Sequence, residues 1–468
     1  MSSVRKLTFN FSKLKSYKFV KVPLYNITTS SIQIGPTTST LLEFKLPTLI
    51  YNLYRSYIEY SVHLPGVGGK RNVTHEDVFD LGGTVSFGAA GGLDIVNLQW
   101  AQNYTKIRRK IDTPLDDMLT NDESSGLYPS NETIRDNIVP YLYDKYLSPT
   151  GDPYASVNNF LENKYAHIAD AGQAKGVYRR YPLGAFTGTV FGVDRDFYGG
   201  NQEMYLRINA GTGDKIGYTT TGADVDVAAG ASSIDNLTIK NVYLWLCVEE
   251  NLDIVNEFHS LFNKGELEYN IPYTAAFKMP APANGVVNHT IQLSQQYGRR
   301  LKRIMTTVWN NQEKLHTAYD SNNWNGCKIK NYRTWMNNIP RQDRQISCLN
   351  PAGGVFNCED WLENKKFVSK GSSILNRAHY AINWFHMDQF FEPHDRRSDI
   401  PEINVDEGLP MDQPHTFQFS AEINSDAPVV EEGIPYEVSN GANALFYIYA
   451  EFTRKIAITP EAVTFLPG

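Results

Sequence analysis

Cysteine is scarce in this chain, and its placement argues against a disulfide or zinc framework. The four cysteines among 468 residues are widely spaced, and none belongs to a C-x-x-C pair. Disulfides form in secreted proteins, and the N-terminus shows no secretory signal, so we expect reduced thiols in an intracellular compartment. A zinc site built from the last three cysteines and a histidine is the less favoured alternative. The four residues are Cys247, Cys327, Cys348 and Cys358.

Long apolar runs are also missing. The N-terminus lacks the apolar core segment of a secretory signal, and no run approaches the 18 residues expected of a membrane-spanning helix. We therefore expect an intracellular protein that does not cross a membrane. The 51 acidic residues outnumber the 44 basic ones, which gives a net charge of −7. This balance argues against nucleic-acid binding by the body of the chain.

Motifs of catalysis and cofactor binding are absent as well. The sequence contains no G-x-S-x-G, H-E-x-x-H or EF-hand pattern, and no H-x-H pair of the kind that cupins use. The glycine-rich segment Pro65–Arg71 lacks the spacing of a phosphate-binding loop, so a turn between strands is the favoured interpretation. We predict no catalytic residue, no cofactor and no metal ligand, and we expect no enzymatic activity.

The segment His379–Asp395 is the one histidine cluster that resembles a metal site. We predict a helix over Ser373–Phe391, on which His379 and His386 would share a face but stand about 10 Å apart. One metal ion cannot bind both residues at that separation. Polar residues on a partly buried helix are therefore favoured over metal ligands.

What the sequence does contain is one β-pattern present twice. Asn241–Glu250 aligns without a gap to Asn443–Phe452. In both segments, the residues of one strand face and those of the opposite face are apolar. Side chains of a strand alternate between its faces, so each copy is predicted to be an interior strand covered on two sides. The residues of one face are Val242, Leu244, Leu246 and Val248 in the first copy and Ala444, Phe446, Ile448 and Ala450 in the second.

Further matches occur in the same order along both halves and predict an internal duplication. Tyr25 aligns with Tyr273 at the front, where the offset is larger than at the back, so the first half carries an insertion of roughly 46 residues. Helical spacing of apolar residues over Ala101–Asp170 accounts for this insertion. The matched pairs are Met204–Asn209 with Phe419–Asn424, Val22–Pro47 with Tyr269–Ser294, and Tyr54–Val62 with Arg299–Val308.

These patterns predict an all-β fold with inserted helices, built as two tandem eight-stranded jelly rolls. A helical connector is expected over Asn251–Lys264, with an apolar stripe of Leu252, Val255, Leu261 and Phe262 and a stop at Gly265. The expected divisions are an arm over 1–17, a first roll over 18–250, a linker helix over 251–266, a second roll over 267–460 and a tail over 461–468.

The first 42 residues carry six basic residues and no acidic one. A solvated terminus is one interpretation, and an arm that lies on a lipid leaflet or on packaged nucleic acid is the other. Interleaved aromatic residues favour a role facing a membrane or another subunit. The basic residues are Arg5, Lys6, Lys13, Lys15, Lys18 and Lys21.

On these segments the chain resembles the double jelly-roll major capsid proteins of the tectivirus–adenovirus lineage, most of all those of Polinton-like viruses and virophages. The resemblance implies a homotrimer whose six jelly rolls form a pseudo-hexagonal capsomer of an icosahedral dsDNA-virus shell. It implies outer towers at Asn209–Asp235 and Ala101–Asp170, and a basic arm at the inner face near a membrane, packaged DNA or neighbouring capsomers. The partners would be copies of itself, penton and minor capsid proteins, in a virion capsid made in the host cytoplasm or nucleus.

Two other classes of protein stay open at this point. A minor capsid or spike protein would show a shaft repeat, which the sequence lacks. A carbohydrate-active or carbohydrate-binding protein of two β-sandwiches could use Trp324, Trp335 and Trp361 as a sugar platform. That class would also require a pair of carboxylates in a cleft, which spacing alone does not identify.

Overall fold

The computed structural model describes seventeen stretches of the chain, and all structural statements below concern these residues. They are residues 15–29, 31–34, 40–63, 70–73, 83–92, 94–101, 103–105, 108, 176–210, 217–220, 232–233, 237–281, 285–310, 329–347, 386–391, 408–423 and 444–466. The sequence-predicted helical block 101–170 lies mostly outside them, and of it only residues in 101–108 are seen, in helical conformation.

The first roll consists of two facing sheets and a small third one. Sheet I has the order β1-β13-β4-β8, with β2 beside β13 and β9 beside β4, sheet II is β3-β10-β6-β7, and sheet III is β12-β11-β5. The strands are β1 (Tyr17–Pro23), β2 (Ser31–Ile34), β3 (Leu41–Leu46), β4 (Ile50–His63), β5 (Lys70–Val73), β6 (Thr84–Ala89), β7 (Asp94–Gln99), β8 (Gly176–Pro182), β9 (Asp196–Tyr198), β10 (Met204–Asn209), β11 (Gly217–Thr220), β12 (Ser232–Ser233) and β13 (Leu237–Glu249).

The second roll repeats this plan. Sheet IV has the order β14-β23-β16-β20, with β21 beside β16 and β24 beside β23, and sheet V is β15-β22-β17-β18, with β19 beside β17. The strands are β14 (Leu267–Pro280), β15 (Gly285–Leu293), β16 (Arg300–Asn310), β17 (Ile329–Met336), β18 (Ile339–Pro340), β19 (Ile346–Ser347), β20 (His386–Phe390), β21 (Leu409–Pro410), β22 (His415–Ile423), β23 (Ala444–Ile458) and β24 (Val463–Leu466).

Strand order is the same in both rolls. Each roll has eight principal strands, which are those left when β2, β5, β9, β11 and β12 are set aside in the first roll and β19, β21 and β24 in the second. When these eight are numbered along the chain, one sheet has the order 1-8-3-6 and the other 2-7-4-5 in both rolls. This is the Greek-key winding of a jelly roll. The predicted fold, two tandem jelly rolls with inserted helices, is confirmed.

Alternation of apolar residues explains how each sheet closes on its partner. In β3, Leu42, Phe44 and Leu46 are buried while the residues between them are not. In β22 every second residue from His415 to Ile423 is buried. Because successive side chains of a strand point to opposite faces, this pattern gives each sheet one face for the core between the sheets.

A helix, α1 (Leu252–Asn263), connects the rolls. The Asn251 side chain caps its start by accepting a hydrogen bond from the Asp253 amide at 2.9 Å, and Gly265 follows its end with a φ of +66°. The predicted apolar stripe is wrong at its first residue, because Leu252 is 74% exposed. The buried face is Ile254, Phe258 and Phe262, since this face rather than the one led by Leu252 packs on the first roll.

Two sequence predictions fail in register or in type. Residues 386–390 of the predicted helix Ser373–Phe391 form β20, which pairs with β16, so His386 is not on a helix. The rest of that segment up to residue 385 lies outside the described residues.

The alignment of Tyr25 with Tyr273 is also out of register. Pro23 corresponds to Pro280, because each pairs with the equivalent residue of the repeated strand, Tyr243 or Leu445.

Candidate assembly surfaces

The two rolls meet in an apolar contact, called here the inter-roll contact. The face of sheet IV that points away from its own core packs against the first roll, where Trp100 lies edge-on to Tyr447 at 5.9 Å and Tyr104 edge-on to Tyr449 at 5.3 Å. Tyr447 and Tyr449 are 3% and 0% exposed. β23 is therefore buried on both faces, one toward sheet V and the other toward the first roll.

Buried hydrogen bonds fix the inter-roll contact in one arrangement. The Tyr104 hydroxyl donates to Glu451 Oε1 at 2.8 Å, and Arg108 Nη1 lies 3.3 Å from the same oxygen. The Tyr449 hydroxyl donates to the Trp100 carbonyl at 2.9 Å. Burial, joined at Tyr104 by the nearby Glu451 charge, raises the pKa of both tyrosines far above the usual range. Both hydroxyls therefore remain donors throughout the physiological pH range.

Close backbone approach requires Gly188 at the same contact. Thr274 Oγ1 donates to the Gly188 carbonyl at 2.7 Å. A Cβ at Gly188 would overlap the Tyr104 hydroxyl and approach Thr274 Oγ1 to 2.5 Å. The rolls can thus meet this closely only because residue 188 has no side chain.

Sheet I presents an aromatic face on the side away from its core, defined by Phe19, Lys21, Tyr57, Tyr243 and Trp245 and called the sheet I outer face. Tyr57 stacks on Trp245 at 6.4 Å, and Phe19 lies 5.5 Å from Tyr57. The Lys21 ammonium lies 3.5 Å from the centre of the Tyr243 ring. Phe19 is nevertheless 48% exposed. Clusters of half-exposed aromatic residues are enriched where proteins meet other proteins.

Seven of the eight residues singled out in the repeated strands have described side chains, and all seven are buried. Ala444 belongs to β23, and its side chain lies outside the described part of the structure. The other seven belong to the cores of their rolls. The buried residues are Val242, Leu244, Leu246 and Val248 in the first roll and Phe446, Ile448 and Ala450 in the second.

The basic residues of the N-terminal segment divide into two groups. Lys15, Lys18 and Lys21 contact the first roll itself: Lys15 pairs with Asp196 at 2.7 Å, and Lys18 pairs with Glu250. Burial alone would lower the pKa of Lys15, but hydrogen bonds with Asp196 and Tyr17 outweigh it and the pKa is raised. Arg5, Lys6 and Lys13 lie outside the described residues.

Sheet III and the start of β1 lie at opposite ends of the first roll. β5 follows β4, and β11 and β12 precede β13, while β1 begins beside the end of β13 at Glu249. Sheet III thus occupies part of the predicted tower segment Asn209–Asp235. The other predicted tower segment, Ala101–Asp170, begins with the helical residues of the inter-roll contact.

The described residues offer little that resembles an active site. The cavity beside Asp196, Phe197 and Tyr269 has a volume of about 40 Å³, far below the roughly 300 Å³ of small ligand pockets. Cys247 is a buried free thiol whose pKa burial raises to about 11. Within the described ranges, no group of three His, Cys, Asp or Glu side chains could hold a metal ion, and no helix is long and apolar enough to span a bilayer.

Sequence reasoning missed most of the inter-roll contact. Trp100, Tyr104 and Gly188 lie in or beside connections, and no periodic pattern marks them. One signal was available, since Val20–Pro23 and Phe277–Pro280 share an apolar–Lys–apolar–Pro pattern. That pattern sets the register in which β1 corresponds to β14. In this register Lys278, which lies over the Trp100 ring at the inter-roll contact, corresponds to Lys21 on the sheet I outer face.

Known structures share this fold over nearly the whole chain. PBCV-1 VP54, fitted into a cryo-EM reconstruction of the virophage Sputnik, is 9% identical and matches with a TM-score of 0.52 over 98% of this chain and 99% of its own. A quasi-atomic model of the PBCV-1 virus capsid gives 10% identity, a TM-score of 0.50 and 98% coverage of both chains. A cryo-EM structure of the Sputnik virophage gives 11% identity and a TM-score of 0.51, over 97% of this chain and 88% of its own. No protein-family model and no curated protein matches the sequence.

Proposed function

We propose that this chain is a viral major capsid protein that forms homotrimers, which act as pseudo-hexagonal capsomers of an icosahedral shell. The observation that carries the proposal is the likeness to PBCV-1 and Sputnik capsid structures over at least 97% of the chain. Such a protein acts by adhesion and needs no catalytic group. Trimers of this kind depend on large obligate interfaces, for which half-exposed aromatic faces are suited.

The proposed role assigns a place to each part of the chain. We assign 1–17 to an inner arm, 18–250 and 267–460 to the two rolls, 251–266 to the linker and 461–468 to the tail. The arm would contact a membrane, packaged DNA or neighbouring capsomers through Arg5, Lys6 and Lys13. Penton and minor capsid proteins would complete the virion, which is assembled in the host cytoplasm or nucleus.

The mass of the purified protein in solution tests this proposal. Size-exclusion chromatography with light scattering should give about three times the 52.9 kDa mass of one chain. Electron microscopy of the same fraction should show particles with a near-sixfold outline. A stable monomer that binds or cleaves glycans would contradict the proposal and favour the carbohydrate-active class.

A further inference from the structure

The first described residues of the chain are held beside the start of α1. Glu249 Oε1 accepts a hydrogen bond from the Ser16 amide at 2.9 Å and another from the Asn251 amide at 2.8 Å. One carboxylate oxygen thus joins the N-terminal segment to the residue that caps the helix. Lys15 pairs with Asp196, which lines a small cavity that α1 also lines. The chain therefore enters the first roll next to α1.

One side of α1 points away from the core of the first roll. The buried face of the helix packs into that core, and His259 on a second side stacks on Tyr198 at 5.1 Å. Residues three and four apart lie on the same side of a helix, so Asp253, Glu257 and Ser260 form a third side, called here the linker flank. Asp253 and Ser260 are exposed, and Glu257 is partly exposed. Another segment can therefore reach the linker flank.

The charges around α1 and at the N-terminus of the chain are opposite in sign. Residues 249–266 contain five acidic residues and one lysine, whereas residues 1–14 contain three basic residues and no acidic one. The helix dipole explains an acidic residue in the first turn, such as Asp253. It does not explain Glu257 in the middle of α1, where the effect of the dipole fades, or Glu266 beyond the C-terminal end, where the dipole opposes negative charge. The acidic character of this region is suited to a basic partner.

The lengths of the two segments also match. A helix rises about 1.5 Å per residue and an extended chain about 3.3 Å. The 12 residues of α1 therefore span about 18 Å, a distance that about six extended residues cover. The six residues before the first described one are Phe9–Leu14. In an extended chain Phe9, Phe11 and Lys13 share one face, which combines two aromatic rings with a positive charge. Leu261, which borders the linker flank, is partly exposed and offers the rings an apolar contact.

We propose that residues 9–14 dock along the linker flank of α1 in the same chain. Lys13 lies beside Asp253 and Glu257, and the two aromatic rings lie toward the C-terminal end of the helix. Anionic lipid and nucleic acid are repelled by an acidic surface, so a basic segment of this chain is the favoured occupant. The inference goes beyond the proposed function, because it assigns a contact within one chain. It leaves the two basic residues before Phe9 for the outside partners.

Carbodiimide coupling of the full-length protein tests the contact, because this reagent joins a lysine amine to a carboxylate only where the two groups touch. Peptide mass spectrometry should find Lys13 joined to Asp253 or Glu257. Lys18 and Glu250, an exposed ion pair, are the internal control for the reaction. Failure to couple Lys13 while the control pair couples would overturn the proposal.

Co-expression of two variants shows whether the contact lies within one chain. One variant is Lys13→Gln, and the other combines Asp253→Asn with Glu257→Gln, so neither chain holds both partners of the contact. Contact within the chain predicts that coupling is lost in this mixture. Coupling that persists between the two chains would show that the segment docks on a neighbouring copy, and the proposal would then be wrong.

Trypsin cleavage after Lys13 measures how firmly the segment docks. Glu257→Lys should speed this cleavage about fivefold or more, because it replaces an ion pair by a repulsion. The matched control is Asp412→Lys, which reverses an exposed charge between β21 and β22 and should leave the rate unchanged. Circular dichroism verifies the fold of both variants, and Asp253→Asn takes the place of Glu257→Lys if that chain does not fold.

Two outcomes of the cleavage measurement contradict the docking. One is a wild-type chain that is cleaved as fast as Glu257→Lys. The other is protection that appears only after vesicles of phosphatidylserine or duplex DNA are added, which would assign the segment to an outside partner. Neither outcome depends on the number of chains in the particle, so failure of this contact is distinguishable from failure of the proposed function.

Discussion

Individual side chains decide whether the two rolls can meet. At residue 188 the missing Cβ leaves room for the Tyr104 hydroxyl, which in turn reaches Glu451 from the other roll. Tyr104, Tyr449 and Glu451 are buried, so the groups that hydrogen-bond across the contact are removed from water. A buried polar group that loses its partner costs about 1–3 kcal/mol. The contact therefore depends on all of these residues together.

Substitution of Gly188 tests this dependence. Gly188→Ala should lower the free energy of unfolding by about 1–3 kcal/mol, because an added methyl group overpacks a site that has no space for it. Gly83→Ala is the matched control, since a Cβ there meets nothing within 4 Å, and its effect should stay below about 1 kcal/mol. Equilibrium unfolding in urea measures both. Equal effects of the two substitutions would show that the rolls are not closely packed at residue 188.

At the scale of elements, local signals define most strands and the connecting helix. β13 and β23 were identifiable because both faces of each strand carry apolar residues. The helix α1 was identifiable because Asn251 and Gly265 mark its ends. β20 was predicted as a helix, because its strand identity comes from pairing with β16, which is distant in sequence. A segment with a local preference for helix forms a strand when pairing with a distant strand supplies the hydrogen bonds.

The cap of α1 gives an element-scale prediction. Asn251→Ala removes the acceptor for the Asp253 amide and should destabilise the protein by about 1 kcal/mol. Asn251→Ser keeps a side-chain oxygen at the cap and should recover most of this loss. Thermal unfolding of the three proteins, at one protein concentration, provides the comparison. If serine fails to restore the stability that alanine removes, the cap does not contribute as described.

At the scale of the whole molecule, the core of the first roll extends onto the outer face of sheet IV in the second roll. Met305, Tyr447, Tyr449 and Ile456 of the second roll belong to the same apolar cluster as the core of the first roll, while a separate cluster fills the second roll. The inter-roll contact is thus packed like a protein interior rather than like the polar contacts between loosely linked domains.

This continuity predicts cooperative unfolding. Peptides from β13 and β23 should lose their protection from hydrogen exchange at the same denaturant concentration, because opening one roll exposes the buried face of the other. Mass spectrometry of proteolytic peptides after exchange in graded urea measures this. In Gly188→Ala the two transitions should separate. Separate transitions in the wild-type chain would show that the rolls behave as independent units.

Neighbouring residues are enough to specify the strand pattern, the duplication and the connecting helix, because alternation and helix capping are local properties of the chain. They do not determine the register of β1 against β14, the identity of β20 or the partners of Trp100, Tyr104 and Gly188. Those depend on which surfaces meet after the chain has folded, and no local pattern encodes that choice. Only the tertiary structure shows that one of two equivalent faces is covered within the chain while the other presents Phe19 to solvent.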